Sequence, residues 1–433
     1  MFVGGEPVWA NACVGDNGSP NYNEYSIGYS KAANILLDTA CERGDMTLCD
    51  ELVYPICFNM RHSVELRIKH ALISIDELVQ LTSKGKSHQL NLDKTHDLEK
   101  LWSRFKECSN SFDDRLFECN DAIDLFVQGI ANIDSNGQVF RYPFGKQDEK
   151  HLLDVGGVIN LFVLRENFKD LEHGLERLRV MVAYLNEEYD CGTYTKYLSR
   201  YQLFSISKKL LNKGLWREER FKNNKEKIRV EYGLSGKKLS RGIEKILGSY
   251  QLSSEIGVYP KLKGISIDVL KKTIEASLDY HPKVKTPLEQ RGNRIISSLD
   301  SFDMGFYKEN NKNNKLKEFC ESIASPSVAA GVSAIFNLYK DGFFSEYYGE
   351  RYSIELSGAV KQRANQNMED IYHYLHKSNY IEGVLRSLVI LNRRELVAEL
   401  LHEFELLGCF HFEKDISKEP QPDIGSPYRF EVT

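Results

Sequence analysis

The residues best suited to chemistry lie close together in the segment YPICFNMRHSVELRIKHAL, residues 54–72. On a helix, His62, Glu65 and Lys69 share one face at spacings of three and four residues, and Arg61 lies one position round from it. The same segment carries a strongly apolar face, and a buried charge is stable only when it is paired or reaches water. One interpretation is therefore a structural ion-pair network that fixes the packing of this helix.

A second interpretation assigns these side chains to a phosphate-binding or acid–base pocket. His96 and Asp97 lie at the predicted start of the next helix, where they would line the pocket with Arg61 and His62. In RNA cleavage, Arg61 would stabilise the charge of the transition state and His62 or His96 would transfer protons. Glu65 or Asp97 would orient the imidazole. The sequence alone leaves both interpretations open.

Sequence motifs of the common enzyme classes are absent. The chain has no G-x-G-x-x-G, G-x-x-x-x-G-K-[ST], H-E-x-x-H or G-x-S-x-G, so nothing local supports a dinucleotide fold, P-loop ATPase, zinc protease or common hydrolase. Nine cysteines are scattered without a C-x-x-C pair, a pattern typical of reduced thiols rather than a disulfide framework or zinc ribbon. We therefore expect no cofactor and no metal ion.

Composition and periodicity predict the fold class. The chain has 433 residues, of which 42% are hydrophobic and 27% charged, values typical of a globular protein rather than a collagen-like, disordered or membrane protein. Apolar residues recur at helical spacing and strand-like alternation is scarce, which predicts an all-α fold, a multi-helix bundle followed by further helical modules. No signal peptide or membrane span is recognisable, so we expect a cytoplasmic protein with no membrane partner.

Shifts in composition divide the chain into five predicted regions. Within the fourth region, residues 308–315 (KENNKNNK) are expected to form an exposed loop. The regions are an irregular N-terminal arm at 1–24, a helical bundle at 25–190, a basic helical module at 191–260, a C-terminal helical region at 261–415 and an irregular tail at 416–433.

The basic module concentrates positive charge. Residues 196–245 contain fifteen Lys and Arg against five Glu, a net charge of +10, whereas the whole chain carries −5. Aromatic residues are interleaved with these cations, and this combination suits phosphate backbones or single-stranded nucleic acid. The alternative is a solvated face that neutralises the acidic remainder, within the fold or across a dimer. The candidate nucleic-acid-binding residues are Lys208, Lys209, Arg217, Arg220 and Lys222.

A pattern of residues in the N-terminal bundle permits a comparison with known families. It consists of Tyr54, Pro55, Arg61, His62, Glu65, Leu66, Lys69, His96, Asp97, Leu98, Leu101 and Trp102. It is similar to the E-L-x-L-K and H-D-L helices of HEPN-like domains, a superfamily of small helical bundles, which residues 30–190 resemble. Together with residues 140–143 (FRYP), the pattern is also similar to a group of uncharacterised bacterial proteins. The resemblance to HEPN-like domains implies a bundle that often dimerises and that occurs in toxin, stress and phage-defence systems.

One motif of the superfamily is missing. Many active HEPN-like proteins are metal-independent ribonucleases that use R-x(4–6)-H. The nearest pairs here are Arg165 with His173 and Arg394 with His402, each with seven intervening residues. On a helix this separation places the His about 80° round from the Arg. A nonenzymatic or ligand-sensing member is therefore an equal alternative, and whether the chain is an enzyme stays open.

The predicted function combines these observations. We expect a nucleic-acid-associated bacterial stress or phage-defence protein, RNA-binding or RNA-cleaving, in which the first bundle dimerises or senses a nucleotide. The basic module would contact the phosphates of RNA or DNA. The alternative is a nonenzymatic helical scaffold or sensor that self-associates into a homo-oligomer or binds a protein partner. A DNA-binding regulator is a third hypothesis, which requires preference for one duplex sequence.

Overall fold

The computed structural model shows a chain built from α-helices. The residues that it describes are 3–15, 17, 20–145, 150–152, 157–290, 305–342 and 344–415. Within these ranges the chain forms sixteen α-helices, short 3₁₀ turns, one isolated β-bridge and no β-strand. The predicted all-α, multi-helix fold is confirmed. The helices form two compact units that divide between Asp190 and Cys191. The predicted tail at 416–433 lies outside the described residues.

Unit 1, which ends at Asp190, is organised around one long helix. The 37-residue α2 packs against α1, α3 and α5. It is central because apolar side chains cover much of its circumference; Ile56, Val64 and Leu72 are fully buried. The helices are α1 (Tyr22–Arg43), α2 (Met46–Thr82), α3 (Leu98–Phe112), α4 (Arg115–Asp134) and α5 (Leu161–Asp190).

Helices α3 and α4 form an antiparallel hairpin with a buried arginine at its turn. Arg115 donates from Nε to Oδ1 of Asp113 at 2.8 Å and from Nη1 to Oε2 of Glu188 at 2.7 Å. Burial opposes the charged guanidinium, but the two carboxylates outweigh it and raise the pKa of Arg115. Because Glu188 belongs to α5, this ion cluster joins the turn of the hairpin to the end of α5.

Unit 2 contains two hydrophobic cores. The first lies within the basic module and includes Leu203, Ile228, Leu239 and Ile243. The second packs α10 to α16 around side chains such as Phe336. The helices are α6 (Arg200–Lys209), α7 (Glu219–Glu231), α8 (Gly236–Gly248), α9 (Tyr250–Ser254), α10 (Ile267–Tyr280), α11 (Gly305–Ile323), α12 (Pro326–Asp341), α13 (Tyr347–Ala359), α14 (Ala364–Leu375), α15 (Tyr380–Ile390) and α16 (Arg394–Glu403).

The prediction of an exposed loop at residues 308–315 is wrong, because this segment belongs to α11. Asn and Lys lower helix stability only slightly, and the segment contains neither Gly nor Pro to end a helix. Downstream, Leu316 and Cys320 are buried in the second core of unit 2. Tertiary packing of these two residues therefore favours the helix over the loop that the polar composition predicted.

A buried ion pair connects the two cores of unit 2. At the start of α6, Arg200 has Nε 3.1 Å from Oε1 of Glu346 and Nη2 3.0 Å from Oε2 of the same carboxylate. The guanidinium also lies over the ring of Phe344, 4.7 Å from its centroid. Burial opposes ionisation of Glu346, but Arg200 outweighs it and holds the pKa of that carboxyl below its usual range. The basic module is therefore held to the C-terminal helices by a paired charge.

No single helix in the described ranges is long and apolar enough to cross a membrane. The segments Lys312–Ile323 and Pro326–Lys340 meet the length and composition criteria only as a pair, which is bent by 116°. Both segments contribute buried side chains to the second core of unit 2.

We expect the substitution Arg115→Met to destabilise unit 1 strongly. It leaves the Asp113 and Glu188 carboxylates buried without their cation, which costs about 3–5 kcal/mol of unfolding free energy. Urea unfolding followed by tryptophan fluorescence, to which the buried Trp102 contributes, measures the loss. The control is Lys86→Ala, which removes an exposed pair with Glu107 and should change the unfolding midpoint little. Equal effects of the two substitutions would contradict this assignment.

Candidate functional site

The polar residues of α2 converge on one carboxylate. Oε1 of Glu65 lies 2.8 Å from Nζ of Lys69 and 3.0 Å from Nδ1 of His96, while Oε2 accepts from Nη1 of Arg61. Nδ1 of His62 lies 3.9 Å from Oε2. We call these five residues the Glu65 cluster. The structure thus brings together four of the five predicted catalytic residues, with Lys69 added.

The carboxylate at the centre of the cluster is charged. Glu65 is only 1% exposed. Burial alone would raise its pKa, but the polar contacts with His62 and Lys69 and the charge of Arg61 outweigh burial and lower the pKa far below its usual range. Two cations, Arg61 and Lys69, are buried with it. The cluster is therefore a paired set of buried charges, as the structural interpretation of the sequence requires.

Arg61 is committed to the fold. Its exposed fraction is 2%, and besides Glu65 its guanidinium binds backbone carbonyls. Nε donates to the Asp134 carbonyl at 3.1 Å, and Nη2 donates to the carbonyls of Ser135 at 2.6 Å and of His96. These carbonyls lie at the end of α4 and before α3, where helix geometry leaves backbone groups unsatisfied. A guanidinium used in this way does not face a substrate phosphate.

Asp97 also serves the backbone rather than an imidazole. Its carboxylate caps α3 by accepting from the Lys100 N–H at 3.1 Å and from the Ser135 hydroxyl at 2.7 Å. Burial would raise its pKa, but these hydrogen bonds outweigh burial and lower it. Two carboxylates, Glu65 and Asp97, were predicted to orient a histidine. In the structure Glu65 contacts the His96 imidazole.

The two histidines of the cluster differ in access to solvent. The His96 side chain is 59% exposed, with Nδ1 held by Glu65. The His62 side chain is 26% exposed and packs between Tyr29, whose ring centroid lies 4.4 Å away, and Phe58 at 5.7 Å. A solvent-facing imidazole oriented by a buried carboxylate is an arrangement that can transfer protons. His96 is therefore the member of the cluster best placed for acid–base chemistry.

In the basic module, three of the predicted nucleic-acid-binding residues are paired with nearby glutamates. Lys209 pairs with Glu231, Nε of Arg220 lies 2.5 Å from Glu218, and Nζ of Lys222 lies 3.0 Å from Glu219. Lys208 lies 4.5 Å from the centroid of the Phe204 ring, and Arg217 is exposed in the turn before α7. These glutamates therefore neutralise three of the five cations that the sequence predicted to bind nucleic acid.

Positive charge without such pairing lies along α8. Lys238, Arg241 and Lys245 follow at three and four residue spacing, and Lys196 lies beside them. Among the described residues, none of these four has an acidic partner within 4.0 Å. Together they line an open groove of about 460 Å³, which we call the basic groove; its other lining residues are Tyr194, Thr195, Tyr197 and Glu244.

Sequence reasoning missed the basic groove, although its signal was present. Lys238, Arg241 and Lys245 alternate with the buried Leu239, Ile243 and Ile246 at helical spacing, so one face of α8 had to be cationic. A count of charges over residues 196–245 gave all cations equal weight. Spacing along the chain does not separate paired from unpaired cations. Arg241 lies three residues from Glu244 without pairing with it, whereas Lys209 pairs with Glu231, 22 residues away.

The aromatic residues of the module are engaged by its own lysines. Nζ of Lys238 lies 3.6 Å from the centroid of Tyr197, and Nζ of Lys213 lies 3.6 Å from that of Trp216. Trp216 also stacks on Phe221, with the ring centroids 4.7 Å apart. Trp216 is therefore engaged within the module, which weighs against its predicted use as a stacking platform for bases; Lys238 covers one face of Tyr197, which stays 45% exposed.

Comparison with known proteins gives no match: no protein-family model, curated protein sequence or solved structure is similar to this chain. The resemblance of residues 30–190 to HEPN-like domains stays a prediction. Across the part of the chain that the structure describes, no group of three His, Cys, Asp or Glu side chains is placed to hold a metal ion.

We expect Glu65→Gln to change the pH dependence of stability. A carboxyl whose pKa is lowered by folding stabilises the protein at neutral pH, and this contribution is lost as the pH falls below about 5. Glu65→Gln removes the contribution and leaves Arg61 and Lys69 unpaired, at a cost of about 3 kcal/mol at pH 7. The difference between wild type and variant should narrow steadily as the pH falls.

Urea unfolding at a series of pH values from 7 to about 3 measures this difference. The matched control is Glu99→Gln, an exposed glutamate in the first turn of α3, which should keep the wild-type profile. A constant difference between Glu65→Gln and wild type across this range would show that the carboxyl has an ordinary pKa.

Proposed function

We propose that this chain is a nucleic-acid-binding protein and that the basic groove of unit 2 contacts the phosphates. The observation that carries the proposal is the placement of Lys196, Lys238, Arg241 and Lys245 around one open groove, without acidic partners among the described residues. Unpaired surface cations repel one another, and a polyanion relieves that repulsion. Each phosphate that they neutralise releases counterions, which makes binding strongly salt-dependent.

Unit 1 supplies the second part of the proposal. We infer that it is the dimerising or ligand-sensing bundle of a stress or phage-defence protein, as the resemblance to HEPN-like domains implies. The helical bundle around α2 and the polar cluster at Glu65 support this inference. If the chain binds no nucleic acid, the alternative of a self-associating scaffold with a protein partner takes its place.

A second candidate function is RNA cleavage, and one observation favours it. His96 presents an exposed imidazole whose Nδ1 is held by the buried Glu65. Such a pair could move a proton to or from a ribose or a leaving oxygen. The carbonyl partners of Arg61 and its 2% exposure weigh against the role in transition-state stabilisation that the sequence predicted for it. Binding without cleavage is therefore the better-supported function.

We expect the double substitution Lys196→Glu and Arg241→Glu to lower nucleic-acid affinity about tenfold or more. It should also reduce the slope of log affinity against log salt by about 1 to 2, because two cations that face the polyanion are lost. Fluorescence anisotropy with a labelled 30-nucleotide RNA and a 30-base-pair DNA, between 50 and 300 mM salt, measures both quantities.

The matched control reverses two cations that are paired with neighbouring glutamates. Arg220→Glu with Lys222→Glu changes the net charge equally but lies outside the groove. We expect it to change affinity less than about threefold, since surface pairs contribute little free positive potential. Equal losses in the two variants would mean that binding follows net charge and not the groove.

Cleavage is tested on the same RNA in the presence of EDTA. If His96 transfers protons, His96→Ala should slow cleavage by about 100-fold or more. His62→Ala tests the second predicted histidine, and the exposed His173→Ala is the control that should keep the wild-type rate. An unchanged rate in both His62→Ala and His96→Ala would remove the Glu65 cluster from catalysis.

A further inference from the structure

Helices α7 and α8 are joined by a tight four-residue turn, residues 232–235. Gly233 has a φ of +60°, a conformation that glycine adopts without strain. The Leu234 N–H returns to the Arg229 carbonyl at 2.9 Å, and the Ser235 hydroxyl caps α8 at the Lys238 N–H. A turn of three or four residues that contains glycine is the connection found between the two helices of helix-turn-helix units. The turn is thus built for a defined change of chain direction.

Side-chain contacts fix the two helices to each other. Nζ of Lys225 in α7 donates to the Ser240 hydroxyl of α8 at 3.1 Å. Nη1 of Arg229 donates to the Leu234 carbonyl in the turn, also at 3.1 Å. Ile228 of α7 lies in the same buried core as Leu239 of α8. These contacts connect the C-terminal half of α7 to the turn and to the N-terminal half of α8.

A third helix supports α8 from behind. Helix α6 packs against α8, and Gly242 of α8 lies against Leu198 and Leu203. A Cβ atom there would lie 3.1 Å from Cδ1 of Leu198 and 3.2 Å from Cδ2 of Leu203, so these side chains would have to shift to admit a larger residue. The buried face of α8 is thereby fully occupied, which leaves the opposite face for a ligand.

The outward face of α8 is exposed and mainly cationic. Lys237, Arg241 and Lys245 are exposed beside one exposed acid, Glu244, and Lys237 and Arg241 lie in the N-terminal half of the helix. In helix-turn-helix proteins this half of the second helix contacts base edges, while the first helix crosses the backbone. Lys and Arg are the side chains that bind guanine O6 and N7. The residue types and their positions both match this use.

The shape of the surface selects the nucleic acid. An α-helix with side chains is 10–12 Å wide and fits the major groove of B-DNA, which is about 12 Å wide. The major groove of an RNA duplex is too deep and narrow for a helix. Single strands stack on open aromatic rings; here Lys213 lies over Trp216 and Lys238 lies over one face of Tyr197, which weighs against a single-stranded ligand.

We propose that α7 and α8 form a helix-turn-helix unit that inserts α8 into the major groove of duplex DNA. Lys237 and Arg241 contact base edges, and Lys196 and Lys245 contact flanking phosphates. This inference rests on the proposed nucleic-acid-binding function and adds to it the class of ligand, the element that enters the groove and the residues that read sequence.

The test uses the full chain and a pool of duplex DNA with a randomised central segment. Selection should enrich one recurrent duplex motif. The chain should bind this motif at least about tenfold more tightly than it binds a scrambled DNA duplex. The same difference is expected against an RNA duplex and against single-stranded RNA of the selected sequence. Arg241→Gln should lower affinity for the selected motif by about 5- to 150-fold and relax preference at one base pair. Affinity for scrambled duplex should fall much less.

The matched control is Lys227→Gln, which removes the same charge from an exposed position on α7. It should weaken binding to selected and scrambled duplexes equally. Both substitutions are at exposed positions, and unchanged far-UV circular dichroism verifies the fold. Failure to enrich a motif, or equal binding of single-stranded RNA, overturns the helix-turn-helix inference while the proposed function stands. Absence of binding to every nucleic acid at 50 mM salt overturns both.

Discussion

A carboxylate buried in the middle of a 37-residue helix determines how unit 1 packs. Glu65 stays ionised there only because cations lie beside it, and α2 supplies Arg61 one turn before it and Lys69 one turn after it. Arg61 has donors left over, and they reach carbonyls at the end of α4 and before α3. Compensation of one buried charge therefore positions α2, α3 and α4 relative to one another. It also explains why residues 54–72, which have the residue types of an active site, mainly stabilise the fold.

The same distinction between committed and uncommitted charge separates structure from function in unit 2. Arg200 is buried against Glu346 and joins the two cores, so its charge is not available to a ligand. Along α8, by contrast, Lys238, Arg241 and Lys245 face an open groove without acidic partners among the described residues. A polyanion would neutralise the positive charges along α8 that no acidic side chain of the described residues pairs with. The function proposed for this chain follows from that remaining charge.

How much the sequence could predict depended on the range of each interaction. Helical periodicity is local, so the all-α fold could be predicted, as could the pairing of Glu65 with Lys69 at four residues' distance. Arg61 binds the Asp134 carbonyl 73 residues away, which no spacing rule reveals. The error at residues 308–315 has the same origin, because burial of Leu316 holds a polar segment in a helix.

The candidate nucleic-acid site shows an intermediate case. The pairing of Lys222 with Glu219 follows a three-residue spacing and was visible in the sequence, yet a count of charges ignored it. The contribution of Lys196 to the groove was not visible, since it comes from a loop that only the fold brings beside α8. Local spacing allows such pairs without requiring them, since Arg241 stands three residues from Glu244 and is not paired with it. Spacing also cannot predict which cations from different segments the fold brings together.

The two buried arginines of unit 1 have a mechanical consequence. Arg61 holds the open end of the α3–α4 hairpin, and Arg115 holds its closed end through Asp113 and Glu188. A slip of either helix along its axis would break charged contacts at both ends simultaneously, and the unpaired groups would be buried. The α3–α4 hairpin is therefore rigid along its length and contains no hinge. Any conformational change of unit 1 must move the two helices together as one rigid body.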